Sequence, residues 1–507
     1  VNSSIKRNTL LVIALTILAF SQLYSQNVQL SGGNYGEYWV FVDDKLEEEN
    51  YKEHIEDKLK LTLGYGDISL RSILFFSDPS LPNQEKLNYV DFAAQYTKDP
   101  VSILYGRYYK TFGRGLTLNQ FIDEDFKTDN SLFGAMAGIK YFSSQLTLLS
   151  GRPRNIFFEE NVYRIKNDDD TTSQIRGIDF ETKLIPKITL GGRYVRINRE
   201  IDLTQKAFTE LFGGNLSFRV GPVENYFEYA QQLGSYPGIG GRLNGYGVLF
   251  SSGLALPGLG VSFQLMDYDT LGFPRGTYRY NEPPTPIKSG ISVNRGVDEI
   301  GFGVSLAFSP LDFLIVELDN NKITTHDSTL STVEQIFTTN ESMDAVIEQT
   351  AKVTTYPSDN LEITGGIEKL VKQGIELPVE KKTETKPHIE ISYNFGTFFV
   401  GSEYQIEFVS SDTSDYHDQA IALSIGKPES FVLTLRYEQR NRVPEWLIDK
   451  LGDETNWPLV ELSLDLTTRH NLRIRAGGEK GGLICSGGVC RFEEPFRGVK
   501  LVLTSLF

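Results

Sequence analysis

In the stretch "SFVLTLRYEQR", Phe431, Leu433, Leu435 and Tyr437 fall on one side of an extended chain, and Thr434, Arg436, Glu438 and Arg440 fall on the other. A period of two with one greasy and one charged side is a strand between an apolar and a polar environment. The same rhythm returns in "PLVELSLDL", where Val460, Leu462, Leu464 and Leu466 oppose Glu461, Ser463 and Asp465. It returns in "HNLRIRA" and in "HIEISYNF", where Ile389, Ile391, Tyr393 and Phe395 oppose His388, Glu390, Ser392 and Asn394. About 24 segments of this kind, within a range of roughly 22–26, run from Asn34 onward.

The connectors between segments alternate in length. Very short ones fall near Tyr65-Gly66-Asp67, Phe142-Ser143, Val220-Gly221-Pro222, Pro257-Gly258, Ser309-Pro310, Gly396-Thr397 and Thr467-Thr468. One longer, more polar connector separates each from the next. This is the pattern of an antiparallel meander with tight turns at one end and loops at the other. No linker or charge block divides the body. The only short stretch of helical character is "EWLIDKLG" around Trp446. Composition agrees, with 32 Phe and 25 Tyr but only 3 Met.

Alternation alone fits a soluble sandwich or a barrel in a membrane. The one-sidedness decides for the barrel. Charges crowd one side of strand after strand and are rare on the other, as a bilayer demands, since a charge at mid-depth on the lipid side costs about 2–4 kcal/mol. Strands in lipid must also close on themselves, because no water pairs an open edge. An even strand count lets "YGEYWVFVD" (Tyr35 to Asp43) meet "FRGVKLVLTSLF" and seal the ring. The expected fold is all-β: one large antiparallel up-and-down transmembrane barrel over residues 26–507, with short turns on the periplasmic side and long extracellular loops. Lys6 and Arg7 followed by "LLVIALTILAF" and "SQLYSQ" predict a secretory signal over residues 1–25. The apolar run is too short to span a bilayer.

The closing strand resembles the insertion signal of Gram-negative outer-membrane proteins, an aromatic end preceded by apolar residues at alternate positions. The match falls on Phe507, Leu503, Leu501 and Val499, with Ser505 as a departure. The leader, the turn and loop alternation and the aromatic strands are similar to that class as well. "YGRYYKTFGRGLTL" and "GGLICSGGVCR" look like parts of an uncharacterised outer-membrane barrel family. The resemblance implies the outer membrane as the location, its lipid and the barrel-insertion machinery as partners, and no particular activity.

Two cysteines, Cys485 and Cys490, flank a Ser-Gly-Gly turn in "LICSGGVC". In an exported chain that spacing predicts a disulfide across a loop. A metal site there is disfavoured, with no His nearby. "KNDDDTT" (Asn167 to Asp170) lacks the spacing of a calcium loop, and the glycines of "YGRYYKTFGRGL" lack the strand–loop–helix setting of a phosphate loop. The five histidines, His54, His326, His388, His417 and His470, are dispersed and form no H-x-x-x-H pair. No G-x-S-x-G elbow is present. The reading is therefore neither an enzyme nor a cofactor protein. A net charge of −16 leaves no basic surplus for nucleic acid.

A barrel of this size encloses a wide lumen. The first strand starts soon after the expected cleavage point, which leaves no separate N-terminal plug domain. Loops folding inward, notably Gly113–Asn130, Asp269–Gly296 and Asn320–Asp344, or a separate protein partner must then fill it. Mixed interior charges (Arg436, Glu438, Arg440, Glu461, Asp465, Arg473, Arg475) are expected to pair across neighbouring strands. The functional expectation is a porin-like channel for solutes constricted by loops. The alternative is a sheath housing a partner subunit of a secretion, assembly or electron-transfer complex.

Overall fold

The computed structural model describes residues 28–43, 50–78, 87–123, 128–159, 162–169, 172–200, 206–235, 242–271, 280–281, 283–294, 296–375, 381–445, 448, 453–486, 489–493 and 495–507. The expected leader over residues 1–25 and the short helix sought around Trp446 lie outside them.

Twenty-four strands form one closed antiparallel barrel. Each strand pairs with the next in sequence, and the first meets the last. Val28–Asp43 pairs with Asn50–Tyr65 on one edge and with Phe496–Leu506 on the other, from Gly33 opposite Leu506 to Phe41 opposite Gly498. Two further bonds continue the seam, Gly32 N–H to Phe507 O at 2.8 Å and Phe507 N–H to Gly32 O at 3.1 Å. The Phe507 ring lies against Gly32, where a Cβ would come within 2.8 Å of it. One additional strand, Val162–Asp169, joins the sheet only by pairing with the far end of Ser144–Glu159, above the ring.

Tight turns close every second connection, as the alternating connector lengths predict. Gly66, Gly221, Gly258 and Gly396 sit in them at φ between 54° and 72°, which a residue with a Cβ adopts only under strain. One expected turn is displaced. The chain stays extended through Ser309 and Pro310 to Leu311, with a register irregularity between Phe308 and Leu311, and turns at Asp312–Phe313. Proline suits such an irregular strand end, where no ladder N–H is needed.

Pairing fixes which side chains share a face. Ser251 faces the lumen, where Arg114 from a loop bonds to it at 2.6 Å. Register carried from Ser251 through Gln264, Gly303, Asn321, Glu348, Leu370 and Glu384 places the even-numbered residues of Lys381–Phe395 inward. The odd ones, Ile389, Ile391, Tyr393 and Phe395, point outward and are exposed, as are Leu435, Val460, Val499 and Leu503. This outer belt is the lipid face. Leaving so much apolar surface in water would cost about 25 cal/mol per Å².

Candidate functional site

The lumen has two unlike sides. On strands between Ser173 and Asp269 the inward positions are covered, the polar Arg193, Asn215 and Glu228 among them, and the apolar ones, Ile175, Val195, Leu211, Ala230 and Leu249, are all buried. What covers them is the chain's own loops. Phe112, Leu116 and Leu118 from the segment 109–131, and Tyr280, Ile287 and Ile291 from the segment 280–296, join those wall residues in one cluster. The two segments bind each other as well as the wall. Asn281 Nδ2 donates to Leu116 O at 2.9 Å, and Asn119 N–H donates to Tyr280 O at 2.9 Å. Together they form an internal plug. The expected inward folding of Gly113–Asn130 and of the described part of Asp269–Gly296 holds.

Charged anchors pin the plug. Arg193 has no exposed side-chain surface and lies 2.6 Å from Glu228 and 3.4 Å from Asp179. It also contacts Asn215 Oδ1. Glu228 receives the Arg114 backbone N–H at 2.8 Å and the Tyr226 hydroxyl at 2.5 Å. Gly113, at φ 56°, brings the loop so close that a Cβ there would run into the Arg193 guanidinium and the Glu228 carboxylate. At the opposite end, Glu348 accepts the N–H groups of Lys288 (2.6 Å) and Ser289 (3.1 Å), while Lys288 Nζ reaches Asp319 at 2.6 Å. The second plug segment thus runs along the inner wall from Tyr268, whose hydroxyl donates to Pro284 O, to Glu348 three strands on.

The third expected plug, Asn320–Asp344, is a correction: it folds on the outside. Phe302 and Lys322 are register partners on the outward face. The Phe337 ring rests 5.6 Å from Phe302, and Lys322 Nζ donates to Gln335 O at 3.2 Å. The segment holds a short helix, Thr332–Phe337, started by a capping box in which Ser331 and Glu334 bond each other's backbone N–H. Val333 is 66% and Phe337 72% exposed, so both extend the apolar outer surface.

His326 tethers this segment. Its ring lies 2.5 Å from Asp298 and 3.1 Å from Asp267. Burial pulls the imidazole down, but the hydrogen bonds and charges of Asp267 and Asp298 outweigh it and push it up to about 9 from 6.5. A raised folded value means the tether's contribution is complete below about 6.5 and fades as pH climbs through about 9. Protease nicking between residues 325 and 344 should therefore be slow at neutral pH and speed up above pH ~9. In His326→Asn it should be fast at both, after correction for protease activity on an unfolded substrate. A wild-type rate flat across that range would contradict the tether.

The remaining wall, from Leu361 round to Asp78, is mostly polar inside and mostly half-exposed or exposed, with Asp418, Arg440 and Trp457 among its buried residues. Its cations pair with nearby carboxylates, across neighbouring strands as expected for Arg475 with Glu461 (2.5 Å) and Arg440 with Asp418 (2.8 Å), and along one strand for Arg475 with Glu479 (3.0 Å) and Arg436 with Glu438 (2.6 Å). Arg473 stands 3.8 Å from Glu461, and Asp465 accepts from Asn471. Glu390 and Glu403 stand directly opposite each other on the inner face. Like charges so placed repel unless water screens them. A cavity of about 560 Å³ opens along this wall between Lys386 and Arg475.

Cys485 and Cys490 are register partners in the hairpin of Gly482–Ser486 with Val489–Glu493; their side chains, like those of Asn167 to Asp170, lie outside the described ones. Among the described residues no group of three or more His, Cys, Asp or Glu could hold a metal.

Solved structures with a similar chain path include the P pilus usher PapC translocation pore (TM-score 0.49, 9% identity, 94% of this chain and 99% of that one). The siderophore receptor PirA from Pseudomonas aeruginosa (TM-score 0.46, 9% identity, 95% and 81%) and a BenF-like porin from Pseudomonas fluorescens Pf-5 (TM-score 0.40, 10% identity, 72% and 97%) are others. No curated protein matches the chain. A family model described as "Family of unknown function (DUF6029)" matches residues 6–283, more than half of the 507 residues. The chain therefore belongs to that family, DUF6029, and is built as a closed barrel of the outer-membrane kind.

Proposed function

We propose that this barrel is an outer-membrane channel that passes small polar solutes along the hydrated side of its lumen, beside the fixed plug. The carrying observation is the contrast between the two inner walls. Where the plug lies, inward side chains are buried, apolar and ion-paired alike. Elsewhere most are polar or charged and open to water, and include the facing carboxylates Glu390 and Glu403. A wall of that kind is of use only to something dissolved in water. The plug comes from the chain itself, so a partner subunit is not needed to fill that side, and this favours the channel over the sheath. The role requires no catalytic step.

Ion pairing along the wall leaves little net charge, so selectivity between small cations and anions should be weak, within about threefold. The purified chain in planar bilayers, bathed in potassium chloride, should give discrete conductance steps. A folded chain that never conducts, or that purifies in fixed ratio with a second subunit occupying the polar side, would sink the proposal.

A further inference from the structure

We infer that the cavity beside Trp457 is a subsite for neutral polyhydroxylated solutes, which by chemistry means saccharides. The inference rests on the channel reading and names the solute class that its polar wall favours. The volume, about 560 Å³, suits a small ligand.

Charge balance argues for neutrality. Each cation along this wall already has an anion: Lys386 with Glu407 at 3.5 Å, Lys480 with Asp418 at 2.6 Å, Arg436 with Glu438, and Arg475 with Glu461 and Glu479. Within the cavity, a solute with net charge would have to break one of these pairs to find a counter-ion. A neutral polyol would not. An ionised carboxylate offers about four acceptor positions and a guanidinium about five donors, more than one pairing consumes. Hydroxyl groups, which donate and accept, match what is left over.

The second observation is Trp457. It lines the cavity, is 3% exposed, and its indole N–H has no hydrogen-bond partner. A buried donor left without an acceptor costs about 1–3 kcal/mol. The Arg440 guanidinium lies 5.8 Å from the ring centre. The indole nitrogen is closed off by its neighbours, so a solute hydroxyl supplies the missing acceptor once the ring edge turns toward the cavity.

The test uses the full chain in planar bilayers with maltotriose, N-methylglucamine chloride and sodium gluconate added separately. Maltotriose should interrupt the current in a saturable way, and the two charged solutes should not. Trp457→Phe, which removes the N–H but keeps an aromatic ring, should raise the half-blocking concentration about tenfold. Arg475→Gln should do likewise. Folding of each variant is read separately, from the heat-shifted mobility of the barrel on gels. Block by gluconate or N-methylglucamine but not by maltotriose would overturn the inference, as would maltotriose block unchanged in both variants. If no current flows at all, the channel reading fails by itself. Tryptophan fluorescence in detergent then decides the subsite: a saturable maltotriose response absent from Trp457→Phe upholds it, and no response rejects it.

Discussion

Gly113→Leu should release the first plug segment and raise single-channel conductance several-fold, roughly five- to tenfold given the width of a lumen of this strand number. The argument has two parts. Gly113 has φ 56°, a conformation that costs a leucine of order 1–3 kcal/mol. The new side chain would also be driven into Arg193 and Glu228, the buried pair on which the loop is seated. The wall cannot yield, because both residues belong to strands laddered on each side. The loop, covalently tied only at its ends, is the part that moves. Wild-type-like conductance in a correctly folded Gly113→Leu barrel would show that the segment 109–131 does not obstruct the lumen.

Arg193→Leu should destabilise the plugged state by about 3–5 kcal/mol, because Glu228 and Asp179 would be left buried without their cation. The carboxylates regain water most cheaply if the segment 109–131 lifts away. Thermal unfolding should then split into an early step, seen as protease access within 109–131, and the later loss of the barrel. Arg193→Leu with Glu228→Leu should recover part of the loss, because Glu228 is then no longer a stranded charge while Asp179 still is. A single variant that melts like the parent would mean that the pair holds nothing in place.

Much of this architecture was legible in the residues. Strands such as Phe431–Arg440 alternate cleanly, because lipid lies on one side and water on the other. The turns followed from the connector lengths, and the ion pairs of the polar wall from the mixed charges on one face. The plug contacts were harder to see. In Arg242–Leu256, Leu249 points at the plug and Phe250 at lipid, so both faces are greasy and the alternation blurs. That blurring, concentrated between Ser173 and Asp269, was the available signal for where the lumen is filled. The helix Thr332–Phe337 was missed although Ser331-x-x-Glu334 announces its start. Its destination could not be read. Whether a loop turns inward or outward depends here on Phe302 offering a ring on the outer surface, a contact between residues far apart in sequence.

The two halves of the plug meet through Asn281 and Leu116, which are 165 positions apart. Between them the chain lays down the wall strands from Leu132–Tyr141 to Leu259–Asp269. Closing so long a span against a still-floppy chain is entropically costly, whereas every pairing of the wall except its closing seam joins chain neighbours. Assembly should therefore be ordered: a vacant cylinder first, its stopper afterwards. A newly inserted molecule would leak briefly before it matures.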